Sequence, residues 1–150
     1  MSVLVALHVL AALVWVGGMF FAHQCLRPSA APLEAPVRLA LWRRVFSRFF
    51  GWVWVSVALL LATGIAMIVI EYGGFERAGL NVSLMMSVGI VMMLLFAHLY
   101  FAPWRRLQRA LDGGDVPAAG RNLDQIRRIV TINLVLGLAT AAVGASGRFW

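Results

Sequence analysis

Three histidines, His8, His23 and His98, are the side chains best suited to chemistry in a chain that is otherwise oily. They fall in, or at the edge of, long apolar stretches that hold no Asp, Glu, Lys or Arg. A proton relay or an ion-pumping path needs a series of such charges, which sets that class aside. Neutral imidazole is the commonest protein metal ligand, and ligation is the chemistry these rings suit. Cys25 is the single cysteine, which excludes an internal disulfide framework and any CxxC or cysteine-rich metal site. No GxSxG, Walker loop, HExxH or paired-carboxylate arrangement is present, and no catalytic residue is assigned.

The elements that must position the histidines follow from composition. Of 150 residues, 62% are apolar and 13% charged, with a mean hydropathy of +0.87. A soluble domain is nearer half apolar and a quarter charged. Crossing a bilayer core takes roughly 20 mainly apolar residues of helix. Four stretches qualify, at about 3–22, 49–70, 80–102 and 129–147. Their apolar character is continuous and does not alternate with period two, which argues against strands. The first stretch has no basic leading region and no A-x-A site, so it reads as a retained helix, not a signal peptide. The expectation is all-α: one transmembrane domain over residues 1–150, an integral membrane four-helix bundle surrounded by lipid.

All 13 basic residues are arginine, and the net charge is +7. A chain this apolar cannot present a broad basic face, so nucleic acid is not an expected partner. Arg27, Arg38, Arg43, Arg44 and Arg48 lie between the first two stretches. Arg105, Arg106, Arg109, Arg121, Arg127 and Arg128 lie between the last two, and only Arg77 occupies the middle connection. The positive-inside rule puts both Arg-rich loops in the cytoplasm and both termini outside, on the periplasmic face of a bacterial inner membrane. Trp42, Trp52, Trp54, Trp104 and Trp150 fall near the expected helix ends, as an interfacial belt would. Phe21-Ala22-His23 and Phe96-Ala97-His98, with the pairs Arg43-Arg44 and Arg127-Arg128, suggest a duplicated helical hairpin.

Depth decides which histidines can act together. At 1.5 Å per residue, His8 and His23 are roughly 22 Å apart along the helix. His98 is roughly 15 Å deeper than His8 and within about 6–8 Å of the level of His23. One haem iron needs both axial ligands at nearly one depth, which favours His23 with His98. Level with His8 are Met67, Met85 and Met86, a soft set that suits Cu(I). The neighbours Met85 and Met86 cannot both point inward, and methionine is also a common packing residue. Each histidine has a plainer role open to it: His23 in the headgroups, His98 bonded to a neighbouring helix. Gly17-Gly18, and Asn133, Gly137, Thr140 and Gly144, form small or polar stripes that let helices approach or make room for a flat cofactor.

The run Leu7-His8-Val-Leu-Ala-Ala-Leu-Val-Trp15-Val-Gly17-Gly18 resembles the first-helix motif LHxxAxxxWxGG of CopD-like copper-resistance membrane proteins. The chain is also similar to HemJ-type protoporphyrinogen oxidases in His8, Trp15, Arg43-Arg44, His98, and Arg128-Ile-Val with Asn133. That resemblance implies haem b held by His8 and His98, with His23 next in rank. The HemJ-like lysine of helix three has no counterpart, and Met85, Met86 or Ser87 stand near its place, which tells against porphyrinogen oxidation.

Three functions follow as expectations. The first is an inner-membrane haem b redox protein, a candidate membrane oxidoreductase, passing electrons to quinone or another membrane redox protein. Its propionates would pair with Arg43, Arg44 or Arg105. The second is a copper-binding membrane protein for uptake or tolerance, using His8, His23, His98, Met67, Met85 and Met86. The third is a non-catalytic subunit or assembly factor. Four helices can enclose a cofactor, and a homodimer could equally share one across its interface.

Overall fold

The computed structural model describes residues 1–146. Four long helices carry it, here α1 (Ser2–Ala30), α2 (Ala35–Tyr72), α3 (Leu80–Asp112) and α4 (Val116–Ser146), each long and apolar enough to cross a membrane. Gly147 and Trp150, expected at the last helix end and in the belt, lie outside the described residues. α1 packs chiefly on α2 and α3 chiefly on α4, while α1 and α2 each also touch α4. The bundle is therefore two antiparallel hairpins laid together.

The helices run well past the apolar stretches at the Arg-rich end. The expected loops are mostly helix: α1 and α2 are joined only by residues 31–34, and α3 and α4 only by 113–115. Beyond the oil the sequence keeps an apolar stripe at helical spacing, and Leu39, Trp42, Phe46, Leu107, Leu123 and Ile126 are buried by it. That burial holds the extensions together although their outer faces are charged. Gly114 turns the chain with φ +70°, and Asp115 caps α4 by accepting the Ala118 N–H at 2.9 Å. Gly73, at φ +69°, closes α2 through its N–H to the Val69 carbonyl at 3.1 Å.

Both odd helices widen into a π-type turn where the apolar stretch ends, at Ala22–Leu26 and Tyr100–Trp104. Each turn sits at a proline, Pro28 or Pro103. Proline lacks an N–H and crowds the carbonyl four residues back, and a widened turn lets the helix continue past it. His23 lies on the first widened turn, whereas His98 precedes the second. The two Phe-Ala-His triplets thus do not occupy equivalent places.

The best-packed part of the core lies toward the Arg-rich end and is aromatic. Phe46 stacks on Phe50 with centroids 4.9 Å apart. Trp104 meets Phe50 edge-on at 5.2 Å, and Phe96 meets Phe50 at 5.6 Å and Trp54 at 5.1 Å. Such pairs add about 0.5–1.5 kcal/mol each beyond the area they bury. The expected tryptophan belt is corrected accordingly: Trp42 and Trp104 are 2% and 4% exposed, inside the bundle, while Trp52 is 63% exposed on its outside. Both buried rings belong to the helical extensions, where neighbouring helices cover them.

The small-residue stripes serve packing. A side chain at Gly18 would overlap the Phe49 ring, and one at Gly137 would meet Val16 at 2.8 Å and Met92 at 3.1 Å. At Gly144 it would meet Met85 at 2.8 Å, whereas at Gly17 nothing lies within 4 Å. Asn133 donates from Nδ2 to the Met92 carbonyl at 3.1 Å, tying α4 to α3. Gly18→Ala is expected to destabilise the detergent-solubilised protein by about 1–3 kcal/mol through forced repacking. Gly17→Ala is expected to leave the thermal unfolding midpoint unchanged or slightly raised; equal losses in both variants would contradict this packing.

Candidate functional site

His8 stands two turns into α1 and is half-buried against α2. Its Nδ1 lies 2.8 Å from the Thr63 hydroxyl. Thr63 is 4% exposed, and its hydroxyl donates to the Leu59 carbonyl one turn back at 2.6 Å. A hydroxyl has one hydrogen to give. With that hydrogen committed to Leu59, the oxygen can only accept from His8. That arrangement assigns the ring proton to Nδ1 and leaves Nε2 its lone pair. Histidine ligands are commonly fixed in this way, with the second nitrogen donating to an outer partner.

Gly64, next to Thr63, makes room for the ring. A Cβ there would lie 3.5 Å from His8 Cε1 and 4.0 Å from the Met86 methyl. The ends of the His8 and Met86 side chains thus converge on one spot of the α2 backbone from α1 and α3. Met67 is half-buried on α2, three residues beyond Gly64 and on the same helical face. Met85 turns the other way and packs against Gly144 on α4. Of the two neighbouring methionines, Met86 is the one on the His8 side. Among the described residues no three or more His, Cys, Asp or Glu side chains gather. A metal beside His8 would rest on imidazole and thioether, a donor set for a soft ion such as Cu(I).

The other two histidines stand apart from this cluster. His98 is exposed on α3. His23 is half-buried and lines a cavity of about 20 Å³ with Arg27, Trp42 and Arg127.

A model of the family copper resistance protein D, CopD, matches residues 43–146. The chain belongs to the CopD family. Thr63, Gly64, Met67 and Met86 lie inside the matched region, and His8 on α1 precedes it. No curated protein and no solved structure matches this CopD-family chain. The match agrees with the copper side of the resemblance seen in the first helix and lends no support to haem b.

Packing in this CopD protein tells the same way. The glycine notches that could have seated a flat macrocycle are taken by Phe49, Val16, Met92 and Met85. His98, the expected second axial ligand, faces outward. The arginines expected at propionates stand at the Arg-rich end of the bundle, each in its own surroundings. Arg43 pairs with Asp112 at 2.8 Å, Arg44 is exposed, and Arg105 lies 5.1 Å over the Phe101 ring.

Sequence reading missed Thr63 as a partner of His8. A threonine in a membrane helix normally bonds its own backbone, and Thr63 does so while also taking the histidine. The usable signal was Gly64 beside it, which clears space for a ring from another helix. In 15N-histidine NMR of the purified protein, His8 is expected as the Nδ1–H tautomer in wild type. Thr63→Val is expected to lose that single-tautomer signature; an Nε2–H signal in wild type would contradict the arrangement.

Proposed function

We propose that the protein is a copper-binding membrane protein of copper uptake or tolerance, in which His8 Nε2 and the Met86 thioether take Cu(I) as cargo, with Met67 one turn further along α2. The observation that carries this is the convergence of His8 and Met86 on Gly64, with the His8 tautomer set by Thr63 so that Nε2 is available. Family membership supports the choice of metal. Imidazole plus thioether is a softer set than carboxylate or carbonyl oxygen, and it selects a monovalent copper ion over Mg²⁺ or Ca²⁺. Methionine also adapts its shape to what it contacts, which lets a cargo ion enter and leave.

The arginine distribution supports an orientation with the Arg-rich helical extensions in the cytoplasm of a bacterial cell. His8 then stands near the opposite, periplasmic face of the inner membrane, where it receives copper from outside. Cys25, exposed and near the Arg-rich end, reports this sidedness. A membrane-impermeant maleimide is expected to label it in inverted vesicles and not in intact spheroplasts. Labelling only from the outer side would reverse the orientation.

Anaerobic titration of detergent-purified protein against a chromophoric Cu(I) chelator tests the site. One Cu(I) per chain is expected, and His8→Ala and Met86→Leu should each weaken it by at least about ten-fold. Thr63→Val should weaken it by about 10–100-fold, the usual effect of removing an outer-shell partner. His98→Ala and Cys25→Ser should leave it unchanged. Wild-type affinity in His8→Ala would remove the proposed site.

A further inference from the structure

The copper reading makes no use of the exposed arginines at the opposite end of the bundle from His8. Arg27 on α1, Arg48 on α2, Arg105 on α3 and Arg128 on α4 are all exposed. Each helix thus sets one guanidinium on the outside of the bundle, close to the end of its apolar stretch. None of the four has a carboxylate partner among the described residues. The aspartates at this end are engaged elsewhere: Asp112 pairs with Arg43 at 2.8 Å, Asp124 with Arg127 at 3.4 Å, and Asp115 caps α4. Arg27 and Arg38 also act against the Arg127 charge. The excess positive charge is therefore not relieved within the chain.

Packing fixes the depth of these arginines. The Trp104 ring lies 6.0 Å from Phe46 and 5.2 Å from Phe50, which puts Arg105 level with Arg48. Arg27 and Arg127 line one cavity with Trp42, so Arg27 and Arg128 stand roughly 9 Å beyond Arg48. The headgroup layer of a leaflet is roughly 5–8 Å deep, and long arginine side chains bend along the helix to cover the difference. On the apolar side of each arginine an exposed large apolar residue follows. Trp52 is one turn from Arg48, Phe101 one turn from Arg105, Ile132 one turn from Arg128, and Phe21 precedes Arg27. The Arg105 guanidinium lies 5.1 Å over the Phe101 ring. This change from open apolar side chains to open guanidinium groups marks the level where oil gives way to headgroups. A face that meets only water mixes both signs of charge; this band holds one sign, on all four helices.

We propose that the arginine band binds the phosphates of anionic phospholipids, with phosphatidylglycerol as the simplest case, as a layer around the Arg-rich end. Each guanidinium donates to phosphate oxygens from a planar fork. A zwitterionic headgroup also carries a phosphate, but it brings its own cation and leaves the excess charge unanswered. An anionic headgroup answers it. The band requires no metal and no particular sidedness, so it stands apart from the copper site.

The test uses the full chain in a neutral maltoside detergent. It is titrated with dioleoyl phosphatidylglycerol or dioleoyl phosphatidylcholine, and native mass spectrometry reads the lipid retained. Wild type is expected to hold phosphatidylglycerol at least about ten-fold more tightly than phosphatidylcholine. Arg48→Gln, Arg105→Gln and Arg128→Gln should each weaken phosphatidylglycerol by about five-fold, the worth of one basic residue at an anionic surface. Arg48→Lys, which keeps the charge, should retain most of the affinity. Arg121→Gln removes an equal charge from an exposed position two turns further from the apolar stretch, and should change little. Equal binding of the two lipids, as a face made for water or for an acidic protein would show, overturns the proposal. So does a loss in Arg121→Gln as large as in the band variants. Should Arg105→Gln fail to fold, Arg48→Gln and Arg128→Gln decide it.

Discussion

A hydroxyl has one hydrogen, and in Thr63 that hydrogen is spoken for by the Leu59 carbonyl. Most of what distinguishes the His8 end of the bundle follows from this. An unpaired imidazole N–H in the bilayer interior would cost several kcal/mol. Thr63 removes that cost by accepting from Nδ1, and in doing so turns the basic nitrogen of His8 outward from the bond. Gly64 supplies the space for the ring, and Met86 reaches the same spot from α3. A polar group that would otherwise be a liability in oil is thereby paired and held in one orientation.

The two ends of the molecule are built differently. Toward the Arg-rich end, stacked and edge-on aromatic rings join α2 to α3, and the helical extensions bury tryptophan and phenylalanine almost fully. Around His8 the neighbours are methionine, glycine and threonine, with much of α1 open to lipid. Close-packed aromatic cores hold their shape, whereas methionine-lined regions tolerate displacement. A rigid base with an adaptable upper end is what transient binding of an ion requires.

The four spans were legible because apolar length is a strong signal and little else can explain it. Their ends were not, because the oil stops where the membrane does while the helices go on. The extensions are amphipathic, their charged faces resemble loops, and Pro28 and Pro103 look like terminators; a widened turn carries the chain past each. For the same reason Trp42 and Trp104 looked interfacial but are core residues. His8 and Met86 were both marked as candidates, and depth placed them level. What the sequence could not tell was which of Met85 and Met86 faced inward, since that depends on the rotation of α3 against α4 at Gly144. It also could not reveal that Thr63 completes His8, because a single threonine among apolar residues carries no pairing information. The preference for haem came from histidines in the apolar stretches, the lack of other charge there and the family resemblance, none of which tells which way a ring points: His98 is exposed.

X-ray absorption at the copper K-edge of the Cu(I)-loaded protein tests the central claim most directly, because it reports the atoms bound to the metal. The account predicts an imidazole nitrogen together with at least one sulfur neighbour. The imidazole signature should vanish in His8→Ala and persist in a His23→Ala, His98→Ala double variant. An imidazole signal that survives His8→Ala, or a spectrum with no imidazole in the wild type, would contradict it.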